Sequence, residues 1–203
     1  MTQRTGAAEE GSARGARTPE RRGWVAAILH RWPTWLAIAF VALVAGGDPG
    51  SVGDLSEILL LFPLIYLAPA VLQRRQATWV VLVVTVGAVS ALRLQGWVEP
   101  WVVILAAALA FVLWGAARGQ MWPPGTLMVE TAGMVVFAAI ALAAVSVDPD
   151  LGLYVVAAGW AGHAVWDFVH LLADRKVVSR SYAEWCSVVD LLGAVSILAT
   201  AML

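Results

Sequence analysis

The strongest constraint on this chain is a sevenfold alternation. Apolar blocks at residues 33–47, 55–72, 77–95, 100–117, 126–147, 152–173 and 182–203 are separated by breakers such as GGDPGSVGD, QRRQ, RGQMWPPG and VDPDLG. A membrane-spanning helix needs ~20 apolar residues, within a range of ~17–25. The last three blocks fit that length well, and the first is the shortest. Inside lipid every backbone N–H and C=O must be paired within the protein, so such blocks fold as helices rather than open strands. Only 13% of the 203 residues are charged and 61% are hydrophobic, whereas a soluble domain carries about a quarter charged residues. The sequence therefore predicts an all-α polytopic bundle of seven transmembrane helices whose first partner is the lipid bilayer.

Before the first block, residues 1–22 mix Gly, Ala, Arg and Glu with almost no large apolar side chains. Such a segment cannot bury enough surface to offset its ordering entropy and reads as a disordered tail. Residues 23–32, flanked by Trp24 and Trp32, read as an interfacial segment, and 33–203 as the membrane domain. Orientation follows from Arg and Lys. With the N-terminus cytoplasmic, Arg4, Arg14, Arg17, Arg21, Arg22, Arg31, Arg74, Arg75, Arg118, Arg175, Lys176 and Arg180 fall inside, and only Arg93 outside. This bias orients the chain with its C-terminus extracytoplasmic. The expected location is a cell membrane, the inner membrane if the source is bacterial. No basic stripe suggests nucleic acid, and a single cysteine, Cys186, excludes an intrachain disulfide. No internal repeat marks an inverted-repeat transporter.

Some ionisable residues have ordinary readings. Asp54 with Glu57, and Ser181 with Glu184, have the spacing of helix capping boxes. Arg93 reads as snorkelling or pairing with Glu99, and Cys186 as a small apolar packer. Four groups resist such readings: Glu130, Asp167, His170 and Asp190. Counted from the breakers, the three carboxylates share one layer in the cytoplasmic half of the bilayer. His170 lies a turn nearer the cytoplasm and His163 a turn deeper. Positions 163, 167 and 170 occupy one face of the sixth helix, flanked by Trp160 and Trp166, and Cys186, Asp190 and Gly193 occupy one face of the seventh. The expected result is a polar pocket between helices 5, 6 and 7, walled by those two Trp residues and open towards the cytoplasm.

A charged side chain in mid-membrane costs ~2.5–3.5 kcal/mol or more, whereas an interhelical hydrogen bond returns about 0.6. Holding helices together is therefore a poor reason for so many ionisable groups. His and carboxylate suit a divalent metal such as Zn, Fe or Mn. The ligand sets open are Asp167 with His170, or His163 with Asp167, completed by Glu130 or Asp190. Metal-free acid–base chemistry is the other route. Asp167 and Asp190 would be its acid–base carboxylates with Glu130 beside them, His170 its proton carrier, and Trp160 and Trp166 the aromatic faces holding a hydrophobic small-molecule substrate. The leading expectation is a small membrane enzyme acting on a lipid-like or isoprenoid substrate. A proton- or metal-ion-coupled transporter is the alternative, and a structural or accessory membrane subunit the third.

The stretch HAVWDFVH, followed by C-x3-D on the next helix, resembles a pattern in an uncharacterised family of bacterial polytopic membrane proteins. The matching residues are His163, Trp166, Asp167, His170, Cys186 and Asp190, within 28 residues of sequence. Where that family carries a second His directly after the last one, this chain has Leu171. The resemblance implies a membrane location and brings no activity with it. The architecture also resembles that of seven-helix zinc-dependent membrane hydrolases such as alkaline ceramidases. Those use three His, and this chain, with His30 remote, does not supply them.

Overall fold

A computed structural model of the chain describes residues 28–45, 50–122, 125–173 and 177–202. The tail at 1–22 and most of the interfacial segment at 23–32 lie outside the described residues. The chain divides into two compact units, Met1–Trp32 and Pro33–Leu203. In the first, residues 28–30 are helical and Arg31 N–H closes a turn on the carbonyl of Ile28.

The described residues are all-α, with seven longer helices: α1 Trp32–Ala45, α2 Val52–Leu72, α3 Thr78–Gln95, α4 Pro100–Ala117, α5 Thr126–Ser146, α6 Pro149–Leu172 and α7 Arg180–Ala201. A 3-10 turn, Arg75–Ala77, precedes α3. Among the described residues six helical stretches are long and apolar enough to cross a membrane, and α1 is shorter, with an apolar stretch over Trp32–Leu43. The coarse expectation, a multi-pass all-α membrane protein, is thus met. α2 is the centre of the bundle. It is buried along most of its length and packs against α3, α4, α5 and α6, while α6 packs against both α5 and α7.

Short connections force neighbouring helices to run antiparallel, and paired contacts at each end fix their levels. At one end Gln120 donates to the Val71 carbonyl, and Trp79 Nε1 donates to Ser181 Oγ. At the other the Tyr154 hydroxyl donates to the Ala201 carbonyl. Arg74, Arg75, Arg118 and Arg180 consequently gather at the first end, here the basic end. Asp54, Glu99, Asp148 and Asp150 gather at the opposite, acidic end.

The helix starts differ in detail from the expected capping boxes. The box on α2 is Ser51 with Asp54: Ser51 Oγ accepts from the Asp54 N–H at 3.2 Å, and Asp54 Oδ2 accepts from the Ser51 N–H at 3.0 Å. Glu57, one turn further in, is left to pair with Arg93. Arg93 donates to Glu57 Oε1 at 3.0 Å and lies 2.7 Å from Asp54 Oδ1, so its partners are these and not Glu99. The antiparallel α2–α3 pair sets residue 93 level with residues 54–57, a relation the linear sequence hides. The cap of α7 is Ser179, whose Oγ accepts from the Tyr182 N–H. Glu184 instead accepts from Thr34 Oγ1 at 2.6 Å and ties α7 to α1.

Two glycines set how closely the site-bearing helices approach. A Cβ on Gly152 would lie 2.6 Å from the carbonyl oxygen of Ala144, and one on Gly193 2.5 Å from the Trp160 ring. The first lets α6 lie against the backbone of α5. The second seats Trp160 of α6 against α7.

Candidate functional site

The polar residues singled out in the sequence are buried, and they divide into two tiers. The inner tier is His163, Asp167, Cys186 and Asp190, every one at 0% exposure. One donor atom from each of the four lies within 4.8 Å of the others. His163 Nδ1 is 2.8 Å from Asp190 Oδ2 and 3.6 Å from Asp167 Oδ2. Cys186 Sγ is 3.5 Å from the Tyr182 hydroxyl and 3.6 Å from Asp190 Oδ2. The Tyr66 hydroxyl, from the central α2, donates to Asp167 Oδ1.

The outer tier lies nearer the basic end. His170 Nε2 is 3.0 Å from Glu130 Oε1, and His170 Nδ1 is 2.9 Å from the Trp166 carbonyl. A carbonyl only accepts, so Nδ1 carries the proton of the neutral ring. The contact between Nε2 and Glu130 then needs one further proton, shared between imidazole and carboxylate. The expected single layer of three carboxylates is therefore two levels. Asp167 and Asp190 converge on His163, whereas Glu130 and His170 form a pair of their own. Of the two His ligand positions left open by the sequence, the one beside Asp167 and Asp190 falls to His163.

Tyr66 links the tiers. Its ring packs edge-on against His163, with centroids 5.6 Å apart, and against His170 at 5.0 Å. Neither Tyr66 nor Tyr182 stands out in the sequence. Both are fully buried, but Tyr66 sits inside an apolar run and Tyr182 near a helix start, where a Tyr also suits a membrane interface, so no signal marks either one. Trp166 sits against Gly133, where a Cβ would meet its ring at 2.9 Å, and it packs α6 on α5. Trp160 donates from Nε1 to the Leu55 carbonyl at 3.2 Å and packs edge-on against Phe62.

Charge balance decides what the inner tier needs. The only buried ionisable groups of the basic type among the described residues are His163 and His170. His170 is engaged by Glu130. With His163 protonated and both aspartates ionised, the inner tier remains net negative in a medium where uncompensated charge is very costly. A proton on one carboxylate or a bound cation must make up the balance. His163 Nε2, Asp167 Oδ2 and Asp190 Oδ1 are buried and lack a hydrogen-bond partner among the described residues.

The donor set fits a divalent transition metal. Ligand distances of about 2.0 Å for N and O and 2.3 Å for S put tetrahedral neighbours roughly 3.3–3.5 Å apart. The 3.6 Å separations of His163 Nδ1 from Asp167 and of Cys186 Sγ from Asp190 are near this. The 2.8 Å His163–Asp190 contact is a hydrogen bond and would have to lengthen if both atoms were ligands. A thiolate with imidazole and carboxylate favours Zn or Fe over Mg or Ca.

A cavity of about 460 Å³ adjoins this centre. The expected pocket lay between helices 5, 6 and 7 on the cytoplasmic side. This cavity is a different space, between α1, α2, α3 and α7, with Trp160 of α6 in its wall. Phe62 and Tyr182 line it and also back onto the inner tier: the Phe62 ring is 5.1 Å from the His163 ring, and Tyr182 touches Cys186. No protein-family model, curated protein or solved structure matches this chain.

Proposed function

We propose that this protein is a membrane-embedded enzyme acting on a lipid-like or isoprenoid substrate, with His163, Asp167, Cys186 and Asp190 as a metal-binding reaction centre. The observation that carries this reading is the convergence of four fully buried donor groups within 4.8 Å, separated by one layer of aromatic side chains from an apolar cavity. A divalent ion held there would supply Lewis-acid catalysis at a substrate oxygen. The chain's own residues do the rest. Tyr66 orients the Asp167 carboxylate, His163 and Asp190 fix each other, and Tyr182 stands between Cys186 and the cavity. Glu130 and His170 hold a proton one tier towards the basic end.

A proton- or metal-ion-coupled transporter is the second reading, favoured by the same outer tier, which extends the polar column towards one membrane face. The two differ in product. Lipid extracts of cells expressing the protein should contain a changed species that is absent with Asp167→Asn. If the two extracts are identical while vesicles show ion flux, the transporter reading replaces the enzyme.

In the proposed topology α1 spans as the first of seven helices, with the N-terminus cytoplasmic and the C-terminus outside. The basic end is then cytoplasmic. A reporter fused after Leu203 should report the outside, and one inserted between Arg74 and Arg75 the cytoplasm. Both reporting one side would remove α1 or another helix from the count.

Tyr66→Phe tests how the centre is held. It removes the hydroxyl that donates to Asp167 Oδ1 and leaves the ring in place. Outer-shell partners of this kind typically contribute 10–100-fold to metal affinity. The variant should bind Zn at least 10-fold more weakly by competition with a chromogenic chelator, while its helical content is unchanged. Unaltered affinity would separate Tyr66 from the centre.

A further inference from the structure

The cavity has a chemistry of its own. Its lining runs from Tyr182 to Thr200 on α7 and from Leu82 to Arg93 on α3, which is ~27 Å and ~16 Å along the respective helix axes. About 460 Å³ drawn out over that length has room for one hydrocarbon chain. The walls are mostly apolar; Tyr182 and Trp185 are the residues with polar tips at one end, and Glu57, Ser90, Arg93, Ser196 and Thr200 line the other, acidic end.

Those polar groups select the head. Arg93 is engaged by both Asp54 and Glu57, so two carboxylates against one guanidinium leave the rim net negative. A carboxylate or phosphate head would be repelled there. An ammonium head would have to displace Arg93 from Glu57, whose side chain is only 10% exposed. A guanidinium has five N–H donors, however, and the two ion pairs leave some of them unused. An uncharged hydroxyl can accept from Arg93 and donate to a carboxylate or to Ser196, and it disturbs neither pair.

We infer that this cavity binds a single-chain amphiphile with an uncharged, hydroxyl-bearing head, the head at Arg93 and Glu57 and the chain along α7 towards Tyr182. The chain then passes the aromatic wall of the inner tier. This goes beyond the proposed function: the head lies at the acidic rim, apart from the donor cluster, and binding requires no chemistry there.

The test is photoaffinity labelling of the purified full-length protein with a diazirine-bearing long-chain alcohol, mapped by peptide mass spectrometry. Labels should fall on cavity-lining residues of α2, α3 and α7. Hexadecanol should compete at least 10-fold better than palmitate or hexadecyltrimethylammonium. Val86→Trp, which fills the cavity from α3, should cut labelling at least 10-fold. Val83→Trp, on the same helix but outside the lining, should leave it unchanged and controls for folding. Labelling that is indifferent to Val86→Trp, or better competition by palmitate or the ammonium amphiphile, would overturn the inference. Asp167→Asn should label like the parent. Loss of the enzyme reading with retained labelling would leave a lipid-binding site, whereas lost labelling in an active protein would overturn the cavity assignment alone.

Discussion

Asp167→Asn and Asp190→Asn proteins, purified and supplied with Zn, are expected to keep their helical fold and lose at least nine-tenths of the metal that the parent binds. The amide preserves size, and its oxygen still accepts a hydrogen bond, from Tyr66 in Asp167→Asn and from His163 in Asp190→Asn. What the change removes is one buried negative charge and one anionic ligand. The inner tier is net negative without a cation, so removing a charge costs the apo fold little. In chelator both variants should melt at or above the parent temperature. With metal in excess only the parent should rise, because ligand at 100 times its dissociation constant adds about 2.7 kcal/mol. A purely structural cluster gives another pattern. The substitutions would then change stability by the same amount with and without metal, and no metal would copurify.

The second large effect is on the frame that holds the centre. Gly152→Val should destabilise the protein by about 3 kcal/mol, the upper part of the range for overpacking. Helix propensity alone predicts the opposite sign, since replacing Gly in a helix normally gains a few tenths of a kcal/mol or more. Here the new Cβ would lie 2.6 Å from the Ala144 carbonyl oxygen and 3.0 Å from Val52 Cγ1. The first obstacle is backbone and cannot rotate aside, so α5 and α6 must separate. Because α6 carries His163 and Asp167, metal affinity should fall with stability. Gly87→Val, where a Cβ meets nothing within 4 Å, is the control and should be nearly neutral. A Gly152→Val protein as stable as the parent would show that α6 can shift freely and that the site is not rigidly framed.

Much of the bundle was legible because membrane helices announce themselves by length and apolarity alone. The seven blocks correspond to α1–α7 within a few residues, and their breakers to caps and turns. The caps themselves were misplaced by two or three residues, since Ser51 and Ser179 sit just ahead of motifs that look equally suitable. The site was legible in part. Spacing put His163 and Asp167 on one face of α6, and depth brought Asp190 level with them. Depth alone could not separate Glu130 and His170 into a second tier, because helix rotation decides which neighbour a side chain meets. Tyr66 was illegible for a related reason: α2 reads as uniformly apolar, and only packing shows that this helix is the bundle's centre. Cys186 read as a packer because its partner, Tyr182, lies one turn earlier on the same face and carries no charge.

The claim that His163, Asp167, Cys186 and Asp190 form a metal centre is tested most directly by X-ray absorption at the metal edge of protein loaded with one equivalent of Zn. The expected spectrum contains one sulfur scatterer at about 2.3 Å and nitrogen or oxygen scatterers at about 2.0–2.1 Å, with the sulfur contribution lost in Cys186→Ser. A spectrum without sulfur in the parent protein, or no Zn retained after desalting, would contradict it.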